Sequence, residues 1–375
     1  MKKGIRILIY SDHFLPSIGG SENYALDLAT ELSREGYKIA VVTAEKSNKR
    51  DEFQFKVFRL KKPFSIRRAN INLIEVINVI KVYKPDIFHI NYQTGGENII
   101  MPLLKLMKIP IIITYHADHV VLMGKLIDEL QMAITFRLAS LIIVQSERDS
   151  LKFRNRGYPE NKLKLLRFNG IDTNRYKCNG KSKMGLEQIK LLCIARLDDV
   201  HKYKGVGELI DSLIDIRKKN GVSNFKLNII GDGELRKLYE TKCKNNNIEN
   251  IIFLGTLENE EIIDYLCKSD FLILPSNSHA EGFGRVVLEA ISCGTPVIVS
   301  KFAGISELVE KYNAGIIYDP NNFNFLMDRL FNIIHNTHKI EEFISNGKKL
   351  ILEENLSLQY TTKRIVELYN QILKN

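Results

Sequence analysis

Glu281 and Glu289 stand out first, and then, earlier in the chain, Arg196 and Lys204. A carboxylate accepts two hydrogen bonds side by side, which suits the vicinal diol of a sugar or a ribose. An Arg fork and a Lys point charge suit a diphosphate. They would stabilise negative charge growing on a leaving nucleoside diphosphate. Between the two glutamates lies Gly282-Phe283-Gly284-Arg285. Its glycines let the backbone approach a ligand closely. The first amides of a helix starting there have no intrahelical partner and can face an anion. Amides for a phosphate, flanked by diol-binding carboxylates, would fit a nucleotide sugar. Taken singly, each residue has a plainer reading: a surface Glu, a helix-stabilising Glu, a surface ion pair for Arg196 or Lys204.

The elements around these residues give them a common edge. Phe271–Leu274 and Val297–Val299 are short apolar runs that suit buried parallel strands. Between them Arg285–Cys293 has helical apolar spacing at Val286, Val287, Ala290 and Ile291, and Gly294-Thr295-Pro296 stops it. The order strand, glycine loop, helix, strand is a βαβ unit, whose ligands bind beyond the carboxyl ends of the strands. Arg196 and Lys204 fall at the same edge, between a strand at Ile189–Ile194 and a helix from about Gly205. After the strand Phe225–Ile230, Gly231-Asp232-Gly233 reads as a tight turn with Asp232 as a helix cap.

The first half follows the same plan. Ile5–Tyr10 is a strand, Ser11–Gly20 a loop, and Ser21 a plausible cap for a helix that Gly36 closes before the strand Lys38–Thr43. Gly19-Gly20 stands where a dinucleotide fold has its glycine turn, but G-x-G-x-x-G is absent, so a plain tight turn reads as well. Further strands are expected at Phe55–Leu60, Asp86–Ile90, Pro110–Thr114 and Leu141–Val144, with helices at Ile71–Tyr83, Glu97–Met107 and Lys125–Ala139. His116 sits just past a strand at the ligand edge. Its run Tyr115-His116-Ala117-Asp118-His119 invites a metal reading, and simple packing is the other choice.

Composition sets the bounds. The 375 residues allow two domains, and 45% apolar residues exclude a disordered chain. No apolar run has the length of a membrane span, and Met1–Tyr10 carries no signal-peptide pattern. Five scattered cysteines without C-x-x-C suggest reduced thiols in a cytoplasmic protein. The net charge of +10 favours anionic partners. Lys61–Arg68 mixes four cations with Phe64 and Ile66 and reads either as a solvated loop or as a peripheral contact with an anionic membrane. No nucleic-acid recognition motif supports a nucleic-acid partner.

Glu281 and Glu289, with EGFG between them and EAISCGTPVI after, resemble the E-x7-E signature of retaining glycosyltransferases of family 4 (glycosyl transferases group 1), which have the GT-B fold. Asn169-Gly170-Ile171-Asp172 resembles the stretch that closes the first half in that family. The resemblance implies two doubly wound α/β, Rossmann-like domains facing a cleft. An acceptor-side domain would span residues 1–176, a linker 177–186 and a nucleotide-sugar domain 187–355. A last helix over 356–375 would return to the first domain. By the same resemblance Gly19 and Gly20 approach the donor diphosphate, His116 contacts the donor sugar or adjacent phosphate, and Gly231 lies near the nucleotide. Glu281 with the Phe283 and Gly284 amides holds the hexose, Arg285 lines the donor site, and Glu289 holds the ribose. Arg196 and Lys204 neutralise the diphosphate. The Arg196–Lys204 segment is about three residues longer than the family's, so Lys202 competes with Lys204. Ala303 replaces the first glycine of the family's Gly-Gly-x-x-Glu.

The implied reaction moves a hexosyl group from a nucleoside diphosphate sugar, UDP-sugar above all, to a hydroxyl of a saccharide or lipid-linked acceptor. No D-x-D triplet occurs, so neither a metal nor any other cofactor is expected. A nucleotide-sugar epimerase on the same fold and a non-catalytic nucleotide-sugar-binding subunit are the rival readings.

Overall fold

The computed structural model describes residues 4–374 apart from 18, 48–49, 62–63, 67–68, 72, 93–99, 117–124, 179–187, 221–224, 323–325, 327–329, 331–332 and 334–335. His119 and most of the expected linker lie outside the described residues. So do part of the basic stretch and the start of the helix expected from Glu97. The chain forms two compact units, Met1–Gly170 with Ser357–Asn375, and Ile171–Leu356.

Unit 1 holds β1 (Arg6–Tyr10), α1 (Gly20–Arg34), β2 (Lys38–Thr43), β3 (Lys56–Arg59), β4 (Phe64–Ile66), β5 (Ala69–Ile71), α2 (Leu73–Tyr83), β6 (Ile87–Tyr92), α3 (Met101–Leu106), β7 (Ile111–Tyr115), α4 (Lys125–Leu138), β8 (Leu141–Val144), α5 (Glu147–Asn155) and β9 (Leu163–Leu165). Its main sheet has the order β3-β2-β1-β6-β7-β8-β9, with every pairing parallel. Unit 2 holds β10 (Ile189–Ile194), α6 (Val206–Asn220), β11 (Phe225–Ile230), α7 (Arg236–Asn245), β12 (Ile251–Gly255), α8 (Asn259–Lys268), β13 (Phe271–Leu274), α9 (Arg285–Ser292), β14 (Val297–Ser300), α10 (Ser306–Lys311), β15 (Gly315–Tyr318) and α11 (Thr337–Glu353). Its sheet runs β12-β11-β10-β13-β14-β15, again parallel. The last helix, α12 (Leu358–Lys374), belongs to unit 1.

Both sheets are covered on both faces, which is why their strands read as unbroken apolar runs rather than alternating ones. In unit 2, Leu191, Leu227 and Ile273 pack on one face with Leu209 and Leu213 of α6. On the other face Leu192, Leu272 and Val299 pack with Val287, Leu288 and Ile291 of α9. In unit 1, α12 buries Ile365, Val366 and Tyr369 beside Leu28 and Leu32 of α1. Its Tyr369 hydroxyl is hydrogen-bonded to His89 Nδ1, inside β6. Residues 171–176 pack in unit 2, where Tyr176 is buried and its carbonyl accepts the Ser292 hydroxyl at 2.7 Å.

Four sequence expectations are corrected. Ser21 does not cap α1: Gly19 occupies the cap, and the Ser21 hydroxyl turns to Glu22 at 2.9 Å. Asp232 does not cap α7, which starts only after Leu235; Asp232 instead accepts the Gly233 N–H at 2.8 Å and pairs with Arg236 at 3.0 Å. The basic stretch is not a plain loop, because β4 lies within it and pairs antiparallel with β5. Not all thiols are reduced: Cys178 and Cys267, separated by 89 positions, form a disulfide in unit 2. Spacing could not show this, because the fold alone brings the two together. The Cys293 sulfur lies within 4.8 Å of both.

Candidate active site

The strand order of unit 2 reverses between β10 and β13, which are hydrogen-bonded neighbours with Leu191 opposite Phe271. The loops after these two strands therefore open side by side, at the position where such sheets hold ligands. One loop carries Arg196 to Lys204, and the other carries Glu281.

The two loops meet through charge. Lys204 Nζ donates to Glu281 Oε1 at 2.9 Å and to Oε2 at 2.7 Å. Ser276 Oγ also donates to Oε2 at 2.7 Å. The Glu281 side chain is 5% exposed and that of Lys204 21%. Burial pulls the Lys204 pKa down, but the Glu281 charge and hydrogen bonds outweigh it, and the net shift is upward. Arg196, half-buried on the same loop, is near enough to oppose that rise. Lys202 instead pairs with Asp199 at 2.7 Å on the surface, so Lys204 is the lysine of the cluster. The extra residues in this loop are wound into a 3-10 helix over Asp199–Lys204. Asp198 caps it, accepting the His201 N–H at 2.9 Å.

Two glycines allow backbones to touch behind these side chains. Gly205 has φ +71°, and a Cβ there would stand 2.0 Å from the Pro275 carbonyl oxygen. Beside it the Asn277 N–H donates to the Tyr203 carbonyl at 2.9 Å, stitching the two loops. Gly231 has φ +132°, and its Cβ would stand 1.8 Å from the Ala195 carbonyl oxygen. The turn thus has a packing reason of its own: it holds the end of β10, from which Arg196 projects.

Gly284 caps α9 in the left-handed conformation. The carbonyls of Gly282 and Phe283 accept the N–H groups of Gly304 and Ile305 at 2.8 and 3.0 Å. The loop with Ala303 therefore braces the glycine loop from behind. The Phe283 side chain is part of the core, leaving only its backbone for a ligand. Arg285 and Glu289, one turn apart on α9 and both buried, pair at 3.4 Å. Each glutamate of the signature thus has its own cation. Cys193, buried nearby, is pushed up to about 12 mainly by burial, which rules out a thiolate nucleophile there.

Unit 1 gathers a second group. Gly19 is the extended cap residue of α1 and Gly20 its first residue. His116 follows β7 directly, and its Nε2 is hydrogen-bonded to Asn91 Oδ1. Its ring meets the edges of Tyr24 and Phe168, with centroids 5.1 and 5.0 Å away. Sequence reasoning missed Ser276 and Asn91. A serine after a strand carries no signal of its own, and Asn91 is inside β6, where a polar residue in an apolar run was the one available hint.

Comparison with known proteins agrees with this geometry. Residues 179–350 match the family Glycosyl transferases group 1, and residues 18–175 match Glycosyltransferase Family 4. A glycosyltransferase of Methanocaldococcus jannaschii is 36% identical over 39% of this chain; the match spans 39% of that relative's length. The N-acetyl-alpha-D-glucosaminyl L-malate synthase of Bacillus anthracis is 25% identical over 99% of this chain and 97% of its own. The structure of Anabaena HepE in complex with UDP-glucose superposes with a TM-score of 0.79 at 21% identity, covering 98% of this chain and 100% of that one. Two parallel doubly wound sheets, a signature loop and helix with both glutamates buried, and these matches along most of the chain lead to one conclusion: the protein belongs to the glycosyl transferases group 1, with a family 4 domain ahead of it, and has the GT-B fold.

Proposed function

We propose that this protein is a hexosyltransferase that moves a hexosyl group from a UDP-sugar to an acceptor hydroxyl with retention of anomeric configuration, without a metal ion or other cofactor. The observation that carries the reading is the buried cluster of Lys204, Glu281 and Ser276 beside Arg196, on neighbouring loops at the switch point of unit 2. The UDP-glucose held by the HepE neighbour supports the choice of donor.

In this reading Arg196 and Lys204 meet the diphosphate, where their charge lowers the cost of the leaving nucleoside diphosphate. Glu281 and the Phe283 and Gly284 amides take the hexose hydroxyls, and Arg285 holds Glu289 in place for the ribose diol. The bond from C1 to the phosphate oxygen breaks as the bond from C1 to the acceptor oxygen forms on the same face. The acceptor proton passes to the leaving phosphate, so no protein nucleophile is assigned. The acceptor is a saccharide or a lipid-linked saccharide. The basic stretch from Lys61 would at most touch an anionic membrane surface from the cytoplasm. Among the described residues no helix is long and apolar enough to cross a membrane.

Calorimetric titration with UDP-, GDP- and ADP-sugars in EDTA tests the reading. UDP-sugar is expected to bind, and Glu289→Ala, checked for an unchanged fold by circular dichroism, to bind it at least about tenfold more weakly, as loss of a charged hydrogen-bond partner implies. Equal affinity in both proteins, or binding that returns only with Mg²⁺ or Mn²⁺, would sink it.

A further inference from the structure

We propose that Asn91 is the positioning residue of unit 1: its amide fixes His116 in the neutral Nε2–H tautomer and ties it to the glycine turn that opens α1. The functional part of this inference rests on the reading of His116 as a donor-sugar contact.

The direction of every hydrogen bond in the chain is set by two backbone carbonyls. Asn91 Nδ2 lies 3.0 Å from the Ser21 carbonyl oxygen and 2.9 Å from Ser11 Oγ. A carbonyl can only accept, so the amide nitrogen must face Ser21. Ser11 Oγ lies 2.7 Å from the His13 carbonyl oxygen and donates its one proton there, so it too accepts from Asn91. Both protons of the Asn91 amide are then used. The oxygen left on that amide is the atom bonded to His116 Nε2, which must therefore carry a proton. A flipped amide would set the Asn91 oxygen against the Ser21 carbonyl oxygen. Asn91 and Ser11 are fully buried, so no solvent relieves that contact.

One consequence follows from the tautomer, and two more from the contacts around Asn91 and the ring. In neutral His116 the lone pair is on Nδ1, which accepts a hydrogen bond, as from a sugar hydroxyl. It cannot donate to a phosphate oxygen from Nδ1 unless the ring gains a second proton. The class of contact assigned to His116 is therefore a hydroxyl of the donor hexose. Asn91 also couples two parts of unit 1 that are far apart in sequence, because Ser21 is in the first turn of α1, directly after Gly19 and Gly20. The ring is held on its edges by Tyr24 and Phe168, so the amide sets its protonation and the aromatics its plane.

Nitrogen-15 NMR of the histidine rings reads the tautomer directly in the full chain. There are eight histidines, and His116→Gln assigns the resonance. The wild type at neutral pH is expected to show the Nε2–H pattern. Asn91→Asp places a carboxylate against the ring and should keep His116 doubly protonated to a pH higher by about one unit or more. Asn91→Leu should release the ring into a mixture of tautomers. An Nδ1–H pattern in the wild type, or an unchanged titration in Asn91→Asp, overturns the proposal; the wild-type spectrum decides even if both variants misfold. UDP-glucose affinity is measured in parallel. If His116→Gln binds UDP-glucose as the wild type does while the Nε2–H pattern holds, the donor role of His116 falls and the positioning by Asn91 stands.

Discussion

Lys204 and Glu281, 77 positions apart in the chain, form a buried ion pair that joins the loop after β10 to the loop after β13. Ser276 supplies a further hydrogen bond to the same carboxylate, so Glu281 is satisfied at the cost of one oxygen being shared. Two buried opposite charges on adjacent loops define the shape of the site before any donor arrives. A diphosphate entering here would compete with Glu281 for the ammonium, which places both residues of the pair at the point where donor binding is felt.

Breaking that pair from one side should cost more than removing it whole. Lys204→Met leaves a carboxylate with only 5% of its side chain exposed and no cation on it, and a loss of about 3 kcal/mol is expected. In the double variant Lys204→Met/Glu281→Gln no charge is stranded, and part of that loss should return. Urea unfolding of the two single variants and the double variant gives the coupling. Strict additivity would mean that the pair contributes nothing to the fold of unit 2.

Gly231→Ala tests whether the turn after β11 is held by packing. The methyl group would meet the Ala195 carbonyl oxygen at 1.8 Å, and φ +132° is poor for any side chain. The end of β10 must move, at a cost of roughly 3 kcal/mol from strain and displacement together. Gly294→Ala, at φ +70° with its nearest neighbour 3.7 Å away, should cost only about 1 kcal/mol. Thermal unfolding of the two variants separates collision from conformational preference, and equal losses would refute the packing argument.

Much of this fold was legible because strand periodicity and glycine position are local. The runs at Phe271–Leu274 and Leu141–Val144 are strands with those bounds, and both signature glutamates are where a strand–loop–helix reading puts them. What failed depended on the third dimension. Ser21 looks like a cap by type, yet its hydroxyl serves Glu22 because Gly19 already supplies the extended residue. The choice between Lys202 and Lys204 could not be made by counting, since a 3-10 helix shortens the loop and turns one lysine to solvent. The helices α5 and α8 escape the sequence expectations: α5 has only Leu151 and Phe153 as apolar positions, and α8 is a short run of ten residues. Pairings such as Lys204 with Glu281 or Cys178 with Cys267 join residues that no local window contains.

The disulfide should be a stability element of unit 2. Closing a loop between positions 89 apart removes about 4.6 kcal/mol of unfolded-state freedom in the chain-entropy account, an upper value. Cys178→Ser/Cys267→Ser is expected to lower the urea midpoint of unit 2, and reduction of the wild type should reproduce the shift. Peptide mapping after alkylation would show Cys193, Cys243 and Cys293 as thiols. Full alkylation of all five cysteines in protein purified without reductant would remove the bond from the native state.

Acid should loosen unit 1 through His89. This imidazole is wholly buried between Tyr369 of α12 and Thr114 of β7, and burial lowers its pKa to about 3. The unfolded chain takes up the proton near the ordinary value of 6.5, whereas the folded one resists until about 3. Between those values the unfolded state binds more protons, so stability falls as the pH drops, by up to about 1.4 kcal/mol for each pH unit from this one group. His13 works in the opposite direction. Its hydrogen bond to the Glu45 carboxylate raises its pKa, so its contribution is present below the ordinary value and is lost as the pH rises through the folded one. The two effects therefore fall on opposite sides of the ordinary histidine value. His89→Gln should flatten the acid limb of the unfolding temperature against pH and leave the neutral limb unchanged. It should also weaken the hold of α12 on the sheet, because the Tyr369 hydroxyl loses its ring partner. An acid limb as steep in His89→Gln as in the wild type would assign the loss to carboxylates instead, and leave His89 as a packing residue alone.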